Sequence, residues 1–178
     1  FHTSQDPIME VYAGDVSAGT DLRNFYIVHT ATALTVIVYK GNSNITNYKM
    51  YSVPYTEIAL ASGLGKYSVS NNNHYNLSYD RSAQTLYVYV NGINVSLDSS
   101  NITTAGTIGT FNNNNVRRIL LLGDRNDNHN MNGYVSDVTI YQTVFTTATI
   151  PKIMYNYGKQ FQHTCWEYAY TLRHWWKL

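Results

Sequence analysis

Cysteine is almost missing from this chain of 178 residues: Cys165 stands alone, so no internal disulfide can form and packing must hold the core. Charge is scarce as well. Charged residues make up 13%, the net charge is +1 and the twelve Lys and Arg are scattered. Such a surface offers no footprint for polymeric phosphate, so neither nucleic acid nor an anionic membrane is an expected partner. Glutamate occurs only as Glu10, Glu57 and Glu167, each isolated. Retaining glycoside hydrolysis needs two carboxyl groups about 5 Å apart, and no acidic cluster of that kind is written here. The Ser, Cys and His residues form no nucleophilic constellation either, so the chain is not expected to be an enzyme. No apolar run approaches the roughly 18 residues of a membrane span. The chain opens at Phe1 without a charged and apolar leader, which reads as a mature chain or an excised domain. Helical periodicity is absent before Phe145, and without crossover helices a parallel sheet is excluded.

What is abundant is tyrosine, seventeen residues, and asparagine, about twenty; the first suits sheets and the second suits turns. The strongest local signal is residues 74–95, HYNLSYDRSAQTLYVYVNGINV. Tyr75, Leu77 and Tyr79 alternate with polar residues, and Leu86, Val88 and Val90 alternate with Tyr87 and Tyr89, the period of two that marks strands. Asp80-Arg81-Ser82-Ala83-Gln84 makes a polar turn between them. Asn91-Gly92 supplies the two positive-φ positions of a type I′ turn into Ile93-Asn94-Val95.

Further strands are expected at residues 8–12, 24–30, 33–40, 48–53 and 57–61, with Pro54 breaking a ladder or lying at an edge. Residues 35–39 are apolar on both faces and belong at the centre of a sheet. A short strand is expected at 66–70, a loop from 98 to 110 with one weak strand near Thr107-Ile108, a strand at 117–122 ending in Gly123, and a last strong strand at 134–141. One short helix follows: Ile150, Ile153, Met154 and Tyr157 recur at helical spacing, Thr149 can cap, Pro151 suits the first turn and Gly158 can end it. Alternation returns in the tail through Trp166, Tyr168, Tyr170 and Leu172. The fold class is therefore all-β, a two-sheet antiparallel jelly-roll β-sandwich in residues 1–160 with one short helix near the C-terminus, followed by an aromatic strand or docking tail at 161–178.

Five blocks in order give this a family likeness. His74-Tyr75-Asn76-Leu77-Ser78-Tyr79-Asp80, Leu86-Tyr87-Val88-Tyr89-Val90-Asn91-Gly92, Ile119-Leu120-Leu121-Leu122-Gly123, Gly133-Tyr134-Val135-Ser136-Asp137-Val138-Thr139-Ile140-Tyr141, and Phe145-Thr146 with Ile150, Ile153, Met154 and Tyr155 together resemble the laminin-G-like or pentraxin-like branch of the concanavalin A-like lectin/glucanase superfamily. Ser136 stands where many members carry a second acidic residue, and the tail has no counterpart in that pattern. The resemblance implies a concanavalin A-like sandwich and a non-enzymatic role in glycan binding or adhesion, on a secreted, cell-surface or virion-surface protein, with a glycan or glycoprotein as partner.

On that footing the Asn-rich loops at 71–73, 112–115 and 124–132 are candidate glycan contacts, because planar amides match sugar hydroxyls and aromatic rings match sugar faces. Tyr75, Asn113, Asn128, His129 and Tyr134 are the residues singled out. Asp124, Asn126, Asp127 and Asn128 place several hard oxygens in one loop, and members of the family bind calcium at loop ends; calcium is the one cofactor implied. The loop is no EF-hand, lacking the Gly at its sixth position and the Glu at its twelfth. His163, Cys165 and His174 fit no zinc spacing. The tail residues Trp166, Tyr168, Tyr170, Trp175 and Trp176 are candidate contacts to other protein subunits, since Trp and Tyr are enriched at interfaces. The alternative function is accordingly a structural subunit anchored in a larger assembly by that tail. Four Asn-X-Ser/Thr sequons, at Asn44, Asn76, Asn94 and Asn101, suit a secreted glycoprotein, although a composition this rich in Asn, Ser and Thr yields about that many by chance.

Overall fold

The computed structural model describes residues 6–13, 22–39, 48–62, 73–106, 117–121, 123, 138–155 and 172–176. The elements in chain order are β1 (Asp6–Ala13), β2 (Leu22–His29), β3 (Ala33–Tyr39), β4 (Tyr48–Pro54), α1 (Tyr55–Ser62), β5 (Tyr75–Asp80), β6 (Thr85–Val90), β7 (Ile93–Val95), β8 (Ile102–Ala105), β9 (Arg117–Leu121), β10 (Val138–Tyr141), α2 (Thr149–Tyr155) and β11 (Leu172–Trp176), with a 3-10 turn at Ser99–Asn101 before β8. Most described residues are in strands, and every strand pairing among them is antiparallel. The chain divides into two compact units, Phe1–Pro54 with Leu97–Gly133 and Tyr55–Ser96 with Tyr134–Leu178.

The first unit holds one six-stranded sheet in the order β8-β4-β3-β2-β1-β9. β3 is central, as its two-sided apolar character requires: Leu34, Val36 and Val38 are buried on one face, Thr35 and Tyr39 on the other. Thr30 closes the β2–β3 connection. Its Oγ accepts from the Ala33 amide at 3.1 Å and donates to the Ala33 carbonyl at 3.0 Å, the local side-chain bonding that makes Thr a turn residue. Tyr26, Val28 and Tyr39 form a core cluster with Ile37 and Tyr48 against it, and the Tyr39 and Tyr48 rings, opposite each other in register, lie 6.2 Å apart and tilted. Glu10 is buried in β1, opposite Tyr26 on one side and Leu120 on the other. Pro54 ends β4 three residues past Tyr51, where the pairing with β8 stops, so its missing N–H interrupts no bond to that neighbour.

In the second unit β5, β6 and β7 form a three-stranded sheet, and β10 pairs with β11. The α1 helix packs on β6 and β7, burying Ile58 and Ala59. The 80–84 turn is built on Asp80, whose Oδ1 accepts from the Ser82 hydroxyl at 2.7 Å, the Ser82 amide at 2.9 Å and the Ala83 amide at 3.0 Å. Gln84 takes a left-handed φ of 49° to complete it. These bonds, the Ser82 hydroxyl foremost, hold the Asp80 carboxyl below its ordinary value of 3.8. A depressed folded value stabilises above the unfolded pKa and fades as pH falls through the folded one. Asp80→Asn is therefore expected to lower Tm at neutral pH and to converge on the wild type in acid below 3.8. A Tm gap independent of pH would remove the carboxylate charge from this account.

Two elements depart from the sequence reading. Residues 57–61, expected as a strand, lie in α1: Glu57, Ala59, Leu60 and Ala61 are good helix formers, and a helix lets Ile58 and Ala59 turn onto one sheet. Residues 102–105, expected within a loop, form β8, where β-branched Ile102, Thr103 and Thr104 extend the open edge of β4. The helix expected after Phe145 is present as α2, with Pro151 in its first turn and buried. The tail contributes a strand at Leu172–Trp176; residues 166–171, which carry most of the expected alternation, lie outside the described residues. The strands expected at 66–70 and near Thr107-Ile108 lie outside the described residues.

Candidate functional site

The end of the three-stranded sheet where β5 begins gathers the most chemistry among the described residues. It follows from the Asn91-Gly92 turn. Asn91 at φ 51° and Gly92 at φ 78° adopt the left-handed pair of a type I′ hairpin. Asn91 also clamps the neighbouring strand: its backbone N–H donates to the His74 carbonyl at 2.9 Å, its Oδ1 accepts from the His74 amide at 2.9 Å and its Nδ2 donates to Asn73 Oδ1 at 3.1 Å. One residue thus fixes the entry to β5 through both its backbone and its side chain.

The α2 helix comes to the same place. Gly92 lies so close to it that a Cβ built there would stand 2.6 Å from the Lys152 Cα. Asn76 Nδ2 donates to Met154 Sδ at 3.3 Å, and Asn76 Oδ1 accepts from the buried Ser78 hydroxyl at 3.1 Å. Tyr89, opposite Asn76 in register, donates its hydroxyl to the Phe145 carbonyl at 3.1 Å. Burial, with Tyr87 adding to it, pushes the Tyr89 phenol up, which keeps that proton on the donor. So anchored, α2 brings the last residue of the helix, Tyr155, against His74, ring centroids 6.1 Å apart and 41° between planes.

The result is a half-buried ring pair, His74 and Tyr155, with Asn73 preceding His74 in the chain and the exposed Lys152 one turn before Tyr155 on the helix. The Asn73 oxygen is taken by Asn91; its nitrogen has no partner among the described residues. Rings of this kind receive apolar faces of a ligand, and an amide N–H and an ammonium donate to hydroxyl or carboxylate oxygens.

Of the residues singled out from sequence, Tyr75 adjoins His74 in the chain, half-buried in β5 and opposite Val90, but the strand alternation puts its side chain on the sheet face opposite to that of Asn76, which meets α2. Asn113, Asn128, His129 and Tyr134 lie outside the described residues, as do Asp124, Asn126 and Asp127 of the calcium loop and Trp166, Tyr168 and Tyr170 of the tail. Trp175 and Trp176 lie in β11, with backbone partners Thr139 and Val138. Among the described residues no three His, Cys, Asp or Glu side chains gather into a metal-binding group. Tyr155, Lys152 and the clamping role of Asn91 were not foreseen; the signal for Asn73 was the Asn run at 71–73, read as a turn and as a glycan-loop candidate.

No helix among the described residues is long and apolar enough to cross a membrane. No protein-family model matches the chain, and comparisons with curated proteins and with solved structures give no significant match.

Proposed function

We propose that this chain is a non-enzymatic binding module that recognises a glycan or glycoprotein outside the cytoplasm, on a secreted, cell-surface or virion-surface protein, and that its antiparallel sheets are those of a concanavalin A-like jelly-roll sandwich. The observation that carries the reading is the half-buried His74–Tyr155 ring pair at the entry to β5, aromatic surface of the kind that receives sugar faces. The second reading, a structural subunit docked through its aromatic tail, rests on Trp166, Tyr168 and Tyr170. The pairing of β11 with β10 weighs against a free tail at Trp175 and Trp176.

The test is a glycan array probed with the full chain in calcium and again in chelator. Saturable binding to one sugar class is the expected result; its loss in chelator, together with the same loss in an Asp124→Asn, Asp127→Asn variant, would place calcium in the 124–128 loop. A blank array under both conditions overturns the glycan reading; failure to assemble after deletion of residues 161–178 would then support the structural one.

A further inference from the structure

We infer that Asn94 is an N-glycan acceptor of the folded chain and that Asn76, which heads an equally good sequon, is not. The inference rests on the extracellular location in the reading above and is independent of what the His74–Tyr155 surface binds. Both asparagines lie in the same sheet and opposite the same residue, Tyr89, so their surroundings can be compared directly. Asn76 is committed. Its amide nitrogen donates to Met154 Sδ at 3.3 Å, and its oxygen accepts at 3.1 Å from Ser78, the hydroxyl residue of its own sequon. Met154 and Ser78 are each only 4% exposed. A sugar on that nitrogen replaces one of its two hydrogens and claims the volume that the buried Met154 fills, so a chain glycosylated there cannot seat α2.

Asn94 is the opposite case. It lies in β7, the outer strand of the β5-β6-β7 order, with its side chain exposed and the sequon hydroxyl residue Ser96 exposed as well. Its middle residue, Val95, is buried and anchors the strand. Attachment joins the Asn94 amide nitrogen to C1 of an oligosaccharide carried on a lipid pyrophosphate. The N–C1 bond forms as the C1–O bond to the pyrophosphate breaks, the lipid pyrophosphate leaves with the bonding electrons, and the amide gives up one proton. No oxidant or reductant is required. A glycan here also shields an outer strand whose Ile93 is 50% exposed, the sort of edge that proteins protect against strand pairing with other chains. The other two sequons differ from both: Asn101 is half-buried in the 3-10 turn, where its Oδ1 accepts from Ser100 at 3.4 Å, and Asn44 lies outside the described residues.

The experiment places the full chain behind a secretion leader in a eukaryotic cell line and maps glycopeptides of the secreted monomer by mass spectrometry, with the microsomal pool mapped in parallel for chain that is retained. Asn94 should carry glycan. Asn94→Gln and, independently, Ser96→Ala should each remove one glycan's mass, while Asn76→Gln should leave the glycan content of the monomer unchanged. An unmodified Asn94 in both pools, or a glycan on Asn76 of the secreted monomer, overturns the inference. Failure of the array reading moves neither result.

Discussion

Gly92→Ala is expected to destabilise the protein by about 3 kcal/mol, the sum of two penalties with different origins. The left-handed backbone at φ 78° costs an L-residue roughly 1–2 kcal/mol. The added methyl would stand 2.6 Å from the Lys152 Cα, 3.1 Å from its Cβ and 3.2 Å from its nitrogen, and backbone atoms of a helix cannot swing aside as a long side chain can. Overpacking of this kind costs about 1–3 kcal/mol. For a chain of this size the total corresponds to a Tm fall of roughly 6–12 °C. Gly106 serves as the control, since it shares the left-handed conformation, φ 62°, in an exposed position; Gly106→Ala should show the conformational penalty without the clash. Equal Tm losses for the two would mean that α2 does not press on the turn.

Tyr89→Ala should cost about 3–5 kcal/mol, because it empties a fully buried aromatic site. Tyr89→Phe separates the hydroxyl from the ring. It removes only the bond to the Phe145 carbonyl and is expected to cost about 1 kcal/mol. Phe145 is itself buried, with the Tyr141 ring edge-on at 5.8 Å, so the hydroxyl ties β6 to the segment that leads into α2. The denaturant midpoint should fall in the order wild type, Phe, Ala at unchanged slope. A Tyr89→Phe variant as damaged as the alanine one would assign the whole effect to the hydrogen bond and contradict the packing account.

The residues whose structure was legible in the sequence are those whose local and long-range requirements agree. Asn91-Gly92 has one good use, a type I′ turn, and the alternation on either side fixes the register in which Tyr79 faces Leu86. β3 was legible because a run apolar on both faces fits only the middle of a sheet. Residues 57–61 misled because an apolar run that short has no period to read; that α1 packs on β6 and β7 is a tertiary fact. β8 was hidden by polar Thr103 and Thr104, which are exposed where they extend the β4 edge. The candidate site was half visible. His74 opens the strongest local signal and the Asn run precedes it, but the approach of Tyr155 depends on contacts of Gly92 and Asn76 with residues some sixty to eighty positions away, and no spacing rule encodes those.

The entry to β5 is the surface expected to meet the ligand. Backbone amide shifts of the isotopically labelled full chain, followed by NMR during titration with array-selected oligosaccharides, read this residue by residue. The largest changes are predicted at Asn73, His74, Tyr75, Asn91, Gly92, Lys152 and Tyr155. Saturable shifts confined to other residues, or no shift with any sugar class, would contradict it.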